Sequence, residues 1–184
     1  IVKFKLNNKN GEISVDFPIP LTLDDGVTPI TGRGNIPGYD EIPVTYTDPT
    51  TAFPNTDFTD KSGKKYHKLE YDPFGGDFEG IVIDKDGNFC MCVENRPSLY
   101  KFSAYGSLID RYVPKGTSLL GTSPKTPGSY GKETLPSVYS KRRENRGFEA
   151  IAYDKDKHII YAFIQSPLEN RDTKVNNNSD VIRI

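Results

Sequence analysis

Apolar and charged residues alternate at both ends of this chain and at one point in its middle. Ile1-Val2-Lys3-Phe4-Lys5-Leu6, Leu99-Tyr100-Lys101-Phe102 and Asp180-Val181-Ile182-Arg183-Ile184 carry this period-two pattern, which predicts strands with one buried face. Residues 7–11 supply a turn after the first of them. Continuous apolar runs at Phe89-Cys90-Met91-Cys92-Val93 and Ile159-Ile160-Tyr161-Ala162-Phe163-Ile164 predict two more strands. Between residues 11 and 76, Pro18, Pro20, Pro29, Pro37, Pro43, Pro49 and Pro54 and the run Thr31-Gly32-Arg33-Gly34-Asn35 make a long helix improbable. Short strands are expected there at residues 13–17 and 65–69, and the glycine run is expected to bring backbone close to a neighbouring unit.

The pattern contains a repeat. Asp77-Phe78-Glu79-Gly80-Ile81-Val82-Ile83-Asp84-Lys85-Asp86 returns about seventy residues later as Gly147-Phe148-Glu149-Ala150-Ile151-Ala152-Tyr153-Asp154-Lys155-Asp156. Each copy runs through a turn into one of the apolar strands and ends on a polar group ahead of proline, Glu94-Asn95-Arg96-Pro97 in one case and Gln165-Ser166-Pro167 in the other. Strand repeats of this size belong to radial or stacked β architectures, and each copy reads as a propeller-blade hairpin. The expected fold is therefore all-β: a fragment of a β-propeller, about three blades sampled, with long irregular insertions. Residues 1–184 form one partial domain in this reading. Residues 1–70 hold a blade end and an irregular region, 71–113 a blade hairpin with its third strand, 114–145 an insertion, and 146–184 the next blade. Residues 1–6 would be the third strand of a blade whose first half is missing.

Hairpin geometry turns the repeat into a candidate site. If Asp86-Gly87 forms a two-residue turn, Lys85 pairs with Asn88 and the same register sets Glu79 across from Glu94. Facing carboxylates repel, so a cation, an arginine or a shared proton is required between them. Arg96, Arg146 and a divalent metal are the available choices. The second copy, one residue longer in its turn, sets Glu149 against Gln165. In a propeller this end of the hairpin opens at the mouth of the central channel, where Asp77, Glu79, Glu94, Arg96, Asn145, Arg146, Glu149 and Gln165 would converge from neighbouring blades. Asp77, Glu79, Glu94 and Glu149 are the candidate metal ligands. Glu79, Glu149 and Arg146 are the candidate catalytic groups, and Arg96, Asn145 and Gln165 the candidate substrate contacts. Phe78 and Phe148 read as scaffold.

Composition narrows the function classes. A formal charge of -1 over 184 residues gives no electrostatic footprint for nucleic acid or an anionic membrane. No apolar run reaches transmembrane length. Cys90 and Cys92 share one face of a predicted strand with Cα atoms about 7 Å apart, too far for an easy bridge, and read as small buried apolar groups. With His67 and His158 as the two imidazoles and no Gly-x-Ser-x-Gly elbow, a serine-hydrolase triad is not supported. Asp84-Lys85-Asp86-Gly87-Asn88 lacks the spacing and closing glutamate of a calcium loop and reads as a turn. The cluster Lys141-Arg142-Arg143 reads as a solvated basic face or an anion contact.

Four motifs in order, Asp77-Phe78-Glu79-Gly80-Ile81, Glu94-Asn95-Arg96-Pro97, Asn145-Arg146-Gly147-Phe148-Glu149-Ala150-Ile151-Ala152 and Gln165-Ser166-Pro167-Leu168, resemble the phytase-like family described by esterase-like activity of phytase. The resemblance implies a β-propeller, usually exported in bacteria to the periplasm, cell surface or medium, and classed as a hydrolase. The function expected from residues and resemblance together is metal-assisted hydrolysis of a small-molecule ester or phosphoester, with a calcium-type cation at the channel mouth. The alternative is a non-catalytic binding or structural propeller with a protein partner in an exported assembly.

Overall fold

The computed structural model describes residues 1–35, 37, 40–46, 58–118, 131–170 and 172–182. The chain is all-β, as its alternation predicts, with one short helix, α1 (Thr173–Asn178), and a 3-10 turn at Ser137–Lys141. Strands β1 (Val2–Leu6) and β2 (Ile13–Pro18) form a hairpin, and β3 (Val44–Tyr46), β4 (Phe58–Thr59) and β5 (Lys65–Lys68) form a small antiparallel sheet in the order β3-β5-β4. The principal sheet is an antiparallel meander of β6 (Phe78–Ile83), β7 (Phe89–Val93), β8 (Ser98–Phe102) and β9 (Leu108–Pro114). Strand β10 (Lys132–Leu135) extends it, parallel to β9. Strands β11 (Phe148–Asp154) and β12 (Ile159–Ile164) make a second hairpin. Among the described residues no sheet closes on itself.

Strand β7 is apolar without interruption because it is covered on both faces. Met91 and Val93 pack with Tyr100 and Phe102, against which Phe78, Leu21 and Ile30 also lie. Cys92 faces the other way, onto Phe148, Tyr139 and Ile164. Each such side chain contributes about 1.5–3 kcal/mol when fully buried. Phe78 sets its ring edge-on to Tyr100 at 5.0 Å, and Phe148 does the same to Tyr139 at 5.1 Å. Both phenylalanines of the repeat are thus scaffold. Cys90 and Cys92 are free and buried, and burial pushes the Cys92 thiol up to about 11, so neither acts as a nucleophile.

The irregular region is tied down by buried polar groups. Asn35 is fully buried, donating through Nδ2 to the carbonyls of Asp72 and Gly75 at 2.9 and 2.6 Å and accepting from Arg111 at 2.6 Å. Asp40 receives the Asn35 amide at 2.8 Å and pairs with the guanidinium groups of Arg142, at 2.9 Å, and Arg96, at 3.8 Å. The Thr31 carbonyl accepts from Gly76 N–H and that of Gly34 from Asp72 N–H, so the glycine run does bring backbone close to the main sheet.

Three expectations are corrected. Residues 1–6 pair with β2 as a hairpin whose apolar face is open: Phe4 is 60% and Val15 64% exposed, so the alternation holds without a buried face. Residues 180–182 form no strand and have no ladder partner among the described residues, while 183 and 184 lie outside them. The stretch 114–145, expected to be irregular, holds regular elements, since Pro114 ends β9, β10 joins the sheet and the 3-10 turn Ser137–Lys141 packs on one core; residues 119–130 lie outside the described residues.

Candidate metal centre

Both hairpins of the repeat are built alike. Asp84 Oδ1 accepts the N–H groups of Asp86 and Asn88, each at 2.9 Å, and Asp154 Oδ1 accepts those of Asp156 and Lys157, each at 3.0 Å. These aspartates fold the turns by giving loop amides an acceptor. Gly87 takes φ +82°, closing a loop of three residues, Lys85, Asp86 and Gly87. That loop is one residue longer than the two-residue turn expected, so Gly80 pairs with Cys92 and Ile81 with Met91. The pairing of Glu79 with Glu94, and of Lys85 with Asn88, is therefore not the one formed.

A bulge brings the acids together by another route. The register shifts between Phe78 and Gly80, at Glu79, and again between Phe148 and Ala150, at Glu149. Bulges re-aim side chains at strand ends. Beyond them, Glu94 N–H donates to Asp77 O at 2.9 Å, Gly147 N–H to Glu94 O at 2.8 Å and Gln165 N–H to Gly147 O at 2.8 Å. This line of backbone bonds ties the end of the first hairpin to the start of the second. It pairs Gln165 with Gly147, not with Glu149 as expected. Asp77, Glu79 and Glu94 each place a carboxylate oxygen within 4.8 Å of the others. Alternate positions 77 and 79 share a face, and Glu94 stands across from Asp77.

The electrostatics are those of unneutralised acids. Burial, then the charges of Glu149, Asp77 and Glu79, pushes the Glu94 carboxyl above its ordinary value. Glu79 is raised by burial and by Asp77 and Glu149. Glu94 is only 9% exposed, and no described donor reaches its carboxylate. Glu149 stands outside the close trio but near enough to act on it through charge. Sequence reasoning missed Glu41, whose carboxyl is raised by burial and by Glu144 and Asp77. Glu41 lines a cleft of about 160 Å³ with Asp77, Asn95, Arg33, Pro43 and Leu69. It lies in the proline-rich stretch, where no periodicity marks it.

The basic and amide candidates separate. Arg96 is 2% exposed, and its guanidinium engages Asp40 and the Thr117 carbonyl. Arg142 of the basic cluster is likewise buried on Asp40 and the Asn95 carbonyl, so that residue is neither a solvated face nor an anion site. Arg146 is exposed and donates to Gln165 Oε1 at 3.2 Å, which places both at the open end of the second hairpin. Asn145 adopts φ +48°, a conformation asparagine tolerates, and its buried Oδ1 has no hydrogen-bond partner among the described residues. His158 sits in the second turn, bonded to the Tyr153 hydroxyl at 3.0 Å.

Gly147 is the joint of the site. A Cβ there would lie 2.1 Å from Glu94 O and 2.9 Å from Val93 O, both backbone. Gly147→Ala is expected to push β11 off the first hairpin, cost about 1–3 kcal/mol by overpacking, and weaken cation binding in the folded fraction. Urea unfolding and calcium titration of the variant measure both effects.

The fold and site define an all-β protein with paired hairpins and a carboxylate cluster suited to a hard cation. The profile of the phytase-like family, described as "Esterase-like activity of phytase", matches residues 6–184, and the chain belongs to that family. It is similar to an "Uncharacterized secreted protein" of Arthroderma benhamiae, 33% identical over 180 residues that cover 89% of this chain and 33% of the relative. The chain thus spans about a third of that relative's length. No solved structure matches it.

Proposed function

We propose that this chain contributes the cation-binding part of an exported β-propeller hydrolase acting on an ester or phosphoester. The observation that carries the reading is Glu94, a residue nine-tenths buried whose carboxylate has no described donor and is held within 4.8 Å of two others. Buried carboxylates are retained when paired or bound to metal. Arg96 is committed elsewhere and Arg146 engages Gln165, which leaves a cation or a shared proton to relieve the trio. The donor set is all oxygen, which suits calcium better than a soft metal. Asp77, Glu79 and Glu94 would hold the ion, with Glu149 at the margin.

A bound calcium would supply Lewis acidity toward an ester oxygen or a water. Glu149 and Glu79 are exposed, and either would take a proton from water. Arg146 is the exposed cation that would steady an anionic group. Extracellular location is supported by the secreted fungal relative, and with it a fungal as well as a bacterial setting. The second reading, a non-catalytic binding propeller, is favoured by the open apolar face of β1 and β2. The deciding experiment follows hydrolysis of a simple ester and of phytate with calcium, in wild type, Glu79→Gln and Glu149→Gln. A loss of about 100-fold or more in either variant is expected for a general base. Unchanged turnover in both overturns the hydrolytic reading.

A further inference from the structure

The chain contains one Asn-x-Ser/Thr tripeptide, Asn177-Asn178-Ser179. It lies where α1 ends, with Ser179 as the C-cap residue in extended conformation. Three asparagines stand in a row here, and the fold uses them differently. Asn176 Oδ1 accepts the Asn170 amide at 2.9 Å, and Asn178 Nδ2 donates to the Lys174 carbonyl at 2.8 Å. Asn177, the residue that heads the tripeptide, is exposed, and its carboxamide has no hydrogen bond among the described residues. The two asparagines that are not acceptor positions are occupied; the one that is points to no partner.

We propose that Asn177 is an N-linked glycosylation site. The Asn177 Nδ2 attacks the anomeric carbon of a lipid-diphosphate-linked oligosaccharide. The new N–C bond replaces the carbon–oxygen bond to phosphate, the lipid diphosphate leaves, and one amide proton is lost. The residue after the acceptor is not proline, and the hydroxyl two residues on completes the recognition pattern. A bulky polar glycan is tolerated because α1 has no buried residue, so nothing in the core must move. The inference rests on passage through a eukaryotic secretory route, as the secreted fungal relative suggests, and is independent of the acidic cluster.

The test secretes the full-length protein from yeast behind a supplied leader, so that export itself is not in question. Peptide N-glycosidase treatment and mapping of the tryptic peptide 175–183 then report on this position alone. The wild type and Ser179→Thr are expected to carry a glycan whose release leaves aspartate at position 177. Asn177→Gln and Ser179→Ala are expected to lose it completely while keeping the same thermal midpoint after deglycosylation. Secreted wild type with an unmodified Asn177, or a glycosylated peptide in Ser179→Ala, overturns the inference.

Discussion

Asp40→Ala is expected to destabilise the protein by about 3–5 kcal/mol, the usual cost of breaking a buried ion pair by deleting one partner. The Asp40 side chain is fully buried, and the guanidinium groups it faces belong to Arg96 and Arg142, at 2% and 6% exposure. Deletion leaves two cations without their common anion, and neither can reach water without unpacking. Arg96 follows the end of β7 and Arg142 follows the 3-10 turn, while Asp40 belongs to the proline-rich region. The aspartate therefore joins three stretches distant in sequence, and its loss should loosen all of them together. Asp40→Asn keeps the shape and the acceptor but not the charge, so it should fall between wild type and alanine. Chemical unfolding monitored by circular dichroism gives the three stabilities. A cost below about 1 kcal/mol for alanine, the level of an exposed pair, would contradict this account.

That network also shows where sequence reading stops. The period-two stretches, the apolar runs and the Asp-Lys-Asp turns identified β1, β7, β8 and both repeat hairpins, because each is stabilised by groups within a few residues of one another. Strand β9 escaped notice because Arg111 is 3% exposed while Ile109 is 48% exposed, which inverts the polar code. Burial of Arg111 is made possible by Asn35 Oδ1, the Pro73 carbonyl and the Tyr100 ring 4.8 Å away. Asn35 and Pro73 lie 76 and 38 residues away in sequence, so no local pattern marks the burial. The burial of Arg96 escaped notice for the same reason, since its counter-ion Asp40 lies more than fifty residues upstream. The acids of the site were legible as a group, though by the wrong register. The longer turn and the bulge at Glu79 each move the register by one residue in the same direction, which sets Glu94 across from Asp77 and keeps its carboxylate within 4.8 Å of those of Asp77 and Glu79. Glu41 could be found only from the fold.

Glu94→Gln is expected to cost the site its cation and to steady the cation-free protein. As ligand, Glu94 is the most buried of the trio, so its loss should weaken calcium binding by more than the roughly 10–100-fold that follows removal of an outer-shell partner. Without calcium the sign reverses, because the glutamine removes a buried charge that faces Asp77 and Glu79 and has no described donor. The pH dependence separates this from a change in packing. Glu94 and Glu79 hold their protons to higher pH in the folded chain than in the unfolded one, so the native state binds more protons in that window. Stability of the cation-free wild type should therefore fall as pH rises from the ordinary glutamate value through the raised folded values, and level off above them. The slope should be shallower in Glu94→Gln. Saturating calcium should remove the fall in wild type, since the ion binds the ionised carboxylates of the native state and adds RT ln(1 + [L]/Kd) to its stability. Thermal midpoints followed upward from the ordinary glutamate value of about 4.3, with and without calcium, measure each term. A wild type whose midpoint ignores calcium at neutral pH would remove the cation from the site and leave a shared proton as what relieves the trio.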